Sequence, residues 1–156
     1  MAAQVVPNVK VRKRTNERSL RLLLGAVVIV GMLFNAAAGL LSLLQPGAFL
    51  SAVGEATLVS PAVSVFAEYA GARELAVAAA LFVCGLTRAT PALMGVLIVA
   101  SAANALDTVG AIASGRWVQL PGALVFAIAY ALAAAACWRL TLPSAASVLT
   151  RIVRDG

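Results

Sequence analysis

Phe66-Ala67-Glu68-Tyr69-Ala70-Gly71-Ala72-Arg73-Glu74-Leu75-Ala76-Val77 places three charged side chains inside one of four long apolar runs. A charge at bilayer depth is costly, so each of them needs a partner or a task. Whether this stretch lies in lipid or in a soluble core is decided by the rest of the chain. Hydrophobic residues make up 62% of the 156 and charged residues 12%, against roughly 45–50% and about 25% in soluble domains. A chain of this length cannot hide so much apolar surface from water, and lipid is the better solvent.

The apolar runs predict an all-α fold, an integral membrane four-helix bundle over residues 22–140 with helices at about 22–44, 61–86, 91–112 and 120–140. Each run has 20 or more residues, and about 1.5 Å of rise per residue carries that length across a bilayer core of ~30 Å. Residues 1–21 read as a flexible basic tail, 45–60 as a segment at the outer interface, and 141–156 as a second short basic tail. Ala36-Ala37-Ala38 resembles a signal-peptide cleavage site, but the apolar run continues through Leu40, Leu41, Leu43 and Leu44, which predicts an anchor that stays. Ser60-Pro61 supplies an N-cap followed by proline at the first helical position.

Lysine and arginine set the orientation. Six of the twelve basic residues lie between Lys10 and Arg21, and Arg88, Arg139, Arg151 and Arg154 fall on the same side of the expected membrane, with only Arg116 opposite. Both termini are therefore expected to be cytoplasmic, in the cell membrane. The basic cluster before the first helix reads as a topology signal in contact with anionic lipid, and no basic groove with interleaved aromatics follows that would suit nucleic acid. Trp117 and Trp138, at opposite ends of the expected bundle, fit interfacial belts.

Depth along the helices brings the polar residues to one level. Measured from the cytoplasmic ends, Asn35 lies ~20 Å in, Glu74 ~18 Å, Arg73 ~20 Å, Asn104 ~18 Å and Asp107 ~23 Å, with Glu68 nearer the outer interface at ~27 Å. The guanidinium of Arg73 almost requires a carboxylate at this depth, and Asp107 is the expected partner because Arg73 and Glu74 project about 100° apart on their helix. Asn35 is expected to donate to whichever carboxylate faces it. One positive charge would then meet two negatives, or three with Glu68, so the layer calls for a protonated carboxylate, a cation or a water-filled cavity. Close helix contact is expected from Gly31, Asn35 and Gly39, from Ala72, Ala76 and Ala80, and from Ala123, Ala127, Ala131 and Ala135.

Without histidine the chain has no imidazole for haem, zinc or a Ser-His nucleophile pair, and its two cysteines, Cys84 and Cys137, form no Cys-x-x-Cys. No metal and no cofactor is expected, and the cysteines read as small apolar packing residues.

The run Glu74-Leu75-Ala76-Val77-Ala78-Ala79-Ala80-Leu81-Phe82-Val83-Cys84-Gly85-Leu86-Thr87-Arg88 resembles the second helix of DoxX-like membrane proteins, where a glutamate precedes small and apolar residues and a Gly-Leu-Thr-Arg-type end. Gly71-Ala72-Arg73-Glu74 and the Asn104 to Asp107 region are more similar to uncharacterised relatives of that group. The resemblance covers roughly residues 22–140. It implies a four-helix bundle and, for some members, association with quinone-linked or thiol-linked oxidoreductases.

Two functional readings follow. The first is a non-enzymatic accessory subunit or a binder of a lipophilic small molecule or lipid, with Asn35, Glu68, Tyr69, Asn104 and Tyr130 contacting the ligand. The second is a small membrane enzyme, an isomerase, cyclase or hydrolase, in which Glu74, Asp107 and Arg73 perform acid–base chemistry on a lipophilic substrate. Membrane lipids, and a membrane protein partner or a second copy, are the expected partners.

Overall fold

The computed structural model describes residues 7–52 and 60–141, with side chains from residue 17 onward. All regular structure in them is helical: α1 (Pro7–Leu44), α2 (Pro46–Ala52), α3 (Pro61–Thr87), α4 (Thr90–Ala113) and α5 (Leu120–Thr141). Four segments are long and apolar enough to cross a membrane, Glu17–Leu44, Pro61–Thr87, Thr90–Ala113 and Leu120–Thr141. Their outward faces carry large apolar side chains such as Leu33, Val99, Val109 and Leu132, all more than half exposed. That surface suits lipid and marks a multi-pass membrane protein.

The helix boundaries follow local chemistry. Ser60 is extended at φ −78°, ψ 159°, and its hydroxyl accepts from the Val63 amide at 3.3 Å, with Pro61 next in line. Arg88 ends α3 in the left-handed region at φ 52°. Helix α4 closes with a Schellman turn, in which the Arg116 amide donates to the Ala111 carbonyl at 2.8 Å and the Gly115 amide to Ile112 at 3.2 Å. Gly115 sits at φ 69° there, a conformation that its missing Cβ permits.

The start of the first helix is corrected. Helix α1 begins at Pro7, not at Leu22, so residues 7–21 are helical and not a flexible tail. No glycine or proline interrupts Asn8 to Leu24, the arginines, lysines and leucines there favour helix, and extension from a long apolar helix avoids a nucleation step. The segment after Gln45 forms the short α2, and the rest of that expected interfacial stretch, with Glu55, lies outside the described residues, as do residues 142–156.

The helices pack as two close pairs. Helix α1 packs most extensively on α3, and α4 on α5; α1 with α5 and α3 with α4 touch more lightly, and among the described residues the backbones of the diagonal pairs stay apart. The short connections after α3 and α4 make α3 and α4, and α4 and α5, antiparallel neighbours, and both pairs touch. The small-residue face of α3 nonetheless turns to α1. A Cβ on Gly39 would lie 2.9 Å from the Gly71 carbonyl oxygen, and one on Gly71 would lie 2.9 Å from that of Gly39. Ser42 ties the same crossing by donating to the Ala67 carbonyl.

The small-residue seams are correct for α1, where Gly31, Asn35 and Gly39 are all buried, and need correction elsewhere. Ala72 and Ala76 are exposed, and α3 buries Ala67, Gly71, Ala78, Leu81 and Cys84. Ala131 and Ala135 are also exposed, and α5 buries Ala127, Tyr130, Ala133, Ala134, Ala136 and Cys137. Spacing by four follows a line that slips about 40° per step around a helix of 3.6 residues per turn, so it leaves the contact face after two steps.

Val28, Leu81, Cys84, Leu93, Leu97, Tyr130, Ala133 and Cys137 form one core in the half of the molecule nearest the α3–α4 turn. The other half, between the two helix pairs, is hollow. Replacing Gly39 or Gly71 by alanine is expected to destabilise the fold by about 1–3 kcal/mol through overpacking against backbone. Gly95→Ala, which meets nothing within 4 Å, is expected to be neutral or to stabilise by up to about 1 kcal/mol. Reversible unfolding of the three variants in mixed micelles checks the contrast.

Candidate functional site

The hollow half holds a cavity of about 640 Å³, a size that suits a drug-sized molecule. Every helix contributes: Phe34 and Asn35 from α1, Phe49 from α2, Ala67, Ala70, Arg73 and Glu74 from α3, Asn104 and Asp107 from α4, and Phe126 and Tyr130 from α5. The light contact between α3 and α4 leaves this space, and one ionic bridge spans it.

That bridge is Arg73. Its Nη2 donates to Asp107 Oδ2 at 2.8 Å and its Nη1 to Asp107 Oδ1 at 3.3 Å, a two-pronged grip across the helix pair. The same guanidinium also reaches Glu74 Oε1, from Nη2 at 2.7 Å and from Nε at 3.2 Å. Asp107 is therefore the partner that was expected, and Glu74 is one that was not. Adjacent Cβ atoms diverge by about 100° on a helix, but two long side chains with several torsions converge again beyond them. Arg73 and Asp107 keep 45% and 43% of their side-chain surface exposed, whereas Glu74 keeps 20%. The clasp is thus open to the cavity and is not sealed between helices.

Asn35 and Tyr130 pair with each other. Asn35 Nδ2 donates to Tyr130 Oη at 2.7 Å and to the Gly31 carbonyl at 2.6 Å, so the amide serves α5 and its own helix and not a carboxylate, as had been expected. The close approach depends on Gly31, since a Cβ there would fall 2.5 Å from the Tyr130 hydroxyl. Both side chains are almost wholly buried. Sequence reasoning named both residues but had no signal for their contact, because neither charge nor spacing links positions 35 and 130.

Asn104 lines the cavity while donating to its own Ala100 carbonyl at 2.9 Å. Ser101 donates to the Ala127 carbonyl of α5 at 2.8 Å, and Thr108 bonds back to the Asn104 carbonyl. Glu68 and Tyr69 do not join the site: both are exposed and neither lines the cavity. Ala67, Ala70 and Glu74 lie within about 60° of one another around α3, while Glu68 and Tyr69 stand about 100° and 200° round from Ala67. Phe34, Phe126 and Arg116, among other residues that the sequence did not place here, line the cavity. Phe34 and Phe126 stack at 4.4 Å between ring centres, Phe126 and Tyr130 follow at 5.8 Å, and Arg116 stands at the end away from the core. Among the described residues there is no cluster of metal-ligating side chains, and Cys84 and Cys137 are buried and free.

No protein-family model, curated protein or solved structure matches this chain, so the chemistry of the site rests on its own geometry. Tyr130→Phe is expected to cost about 0.5–1.5 kcal/mol by orphaning one Asn35 N–H. Gly31→Ala is expected to cost more, since a Cβ there displaces the ring. Thermal unfolding in detergent of the two single variants gives the comparison, and equal stability of Tyr130→Phe and wild type would contradict it.

Proposed function

We propose that the protein is a four-helix-bundle membrane protein that binds a lipophilic small molecule or lipid in the cavity between its two helix pairs. The supporting observation is that the ionic clasp of Arg73, Glu74 and Asp107 faces an apolar-walled space of about 640 Å³. A purely structural bridge gains nothing from such an opening, whereas pockets that bind organic molecules combine apolar walls with a few convergent polar groups. The positive-inside count puts both termini in the cytoplasm of a cell-membrane protein. In that orientation the cavity, at the end opposite the Arg88 turn, opens in the outer half of the bilayer.

A bound molecule occupies the protein either as cargo of a single binder or as part of an accessory subunit that presents it to a partner. The likeness of Glu74 to Arg88 to DoxX-like proteins favours the second form. The enzymatic alternative uses the same cavity with Glu74 or Asp107 as acid or base. It is favoured by one observation, that both carboxylates line the space where a substrate would sit.

Ala123 is half-buried on the cavity wall, so Ala123→Trp would obstruct it. Purified protein in nanodiscs is expected to bind the neutral lipophile diphenylhexatriene saturably, read as energy transfer from Trp117 and Trp138. In an Ala123→Trp variant with unchanged helicity the apparent affinity should fall at least about tenfold, or ~1.4 kcal/mol. Binding that is unsaturable, or that ignores the obstructed cavity, contradicts the proposal.

A further inference from the structure

A count of donors and acceptors at the inner end of the cavity points to the chemical class of the ligand. Arg73 gives Nε, Nη1 and Nη2 to the two carboxylates, Asn35 gives both amide hydrogens to Gly31 and Tyr130, and Asn104 gives one to Ala100. The carbonyl acceptors fix the orientation of both amides. On the acceptor side, both Asp107 oxygens are engaged, but among the described residues Glu74 Oε2 takes no hydrogen bond. The amide oxygen of Asn104 takes none either. The inner end has therefore used most of its donors and kept acceptors, and its one guanidinium faces two carboxylates.

The wall beside it is aromatic. Phe34, Phe126 and Tyr130 form a continuous series of tilted rings, and Phe66 of α3 also lines the cavity. Ring faces attract cations within about 6 Å, more strongly where water is excluded. The opposing charge is Arg116, but it lies beyond the end of α4, which runs a further six residues past Asp107, or about 9 Å. Its Nε is engaged with the Ser114 hydroxyl at 2.7 Å.

Building on the binding function proposed above, we infer that the cavity selects a lipophilic amine, with its ammonium group donating to Glu74 Oε2 and the Asn104 oxygen and its apolar body lying along the Phe34, Phe126 and Tyr130 rings. The ammonium supplies the charge that the clasp lacks and donors for the two oxygens left open. A carboxylate ligand would meet two like charges beside a guanidinium that already holds both carboxylates. A neutral alcohol could donate one hydrogen bond but would leave the charge uncompensated.

Displacement of bound diphenylhexatriene by dodecylamine, dodecanol and dodecanoate tests this with one chain length and three head groups, each dose expressed as mole fraction in the nanodisc. Dodecylamine is expected to displace about tenfold better than dodecanol, and dodecanoate least well. In Glu74→Gln the preference for amine over alcohol, taken as a ratio of potencies within the variant, should fall to about unity. Equal potency of amine and alcohol in the wild type overturns the inference, as does an amine preference that survives Glu74→Gln. If Glu74→Gln does not fold, the wild-type ranking decides alone. Equal potency with intact diphenylhexatriene binding leaves the cavity proposal standing, whereas no saturable binding of any probe retires both.

Discussion

The rest of the molecule depends on how Arg73 is satisfied. A guanidinium cannot shed its charge, and in a helix bounded by apolar neighbours it must find acceptors or leave the fold. It finds them in Glu74 on its own helix and Asp107 on α4, at the face where α3 and α4 otherwise touch lightly. Apolar packing therefore does not have to close that face, and the space left open becomes the cavity.

The close pairs set this geometry from the other side. Gly39 and Gly71 bring the α1 and α3 backbones into near contact, and Gly31 receives the Tyr130 ring from α5. Lipid gives helices little drive to associate, so such notches, with a few hydrogen bonds such as Asn35 to Tyr130, carry the cohesion. The small residues and the ionic clasp are two parts of one arrangement. Glycines pull α3 toward α1, and the long Arg73 side chain spans the wider distance to α4.

The helices were legible because composition and apolar run length leave few alternatives, and the layer of Asn35, Arg73, Glu74, Asn104 and Asp107 because depth can be counted along a helix. Rotation was harder to read. Ala72, Ala76, Ala131 and Ala135 appeared equivalent to buried alanines until the contact faces were known, and Glu68 and Tyr69 shared the charged stretch while pointing away from it. The α3–α4 separation was hidden for a related reason: a short turn limits the distance between two helix ends but not how closely the rest of their lengths pack. The aromatic wall and Arg116 were invisible because residues far apart in sequence meet there only through the packing order. The extension of α1 to Pro7 was missed because apolar periodicity carries no information in a basic, helix-favouring stretch.

A double-mutant cycle on Arg73→Gln and Asp107→Asn, measured by reversible unfolding in bilayer-like micelles, tests the central claim most directly. The clasp predicts that the two single changes together sum to more than the double variant loses, with a coupling energy above about 1 kcal/mol. Additive effects within about 0.5 kcal/mol would mean that the two side chains do not bridge α3 and α4.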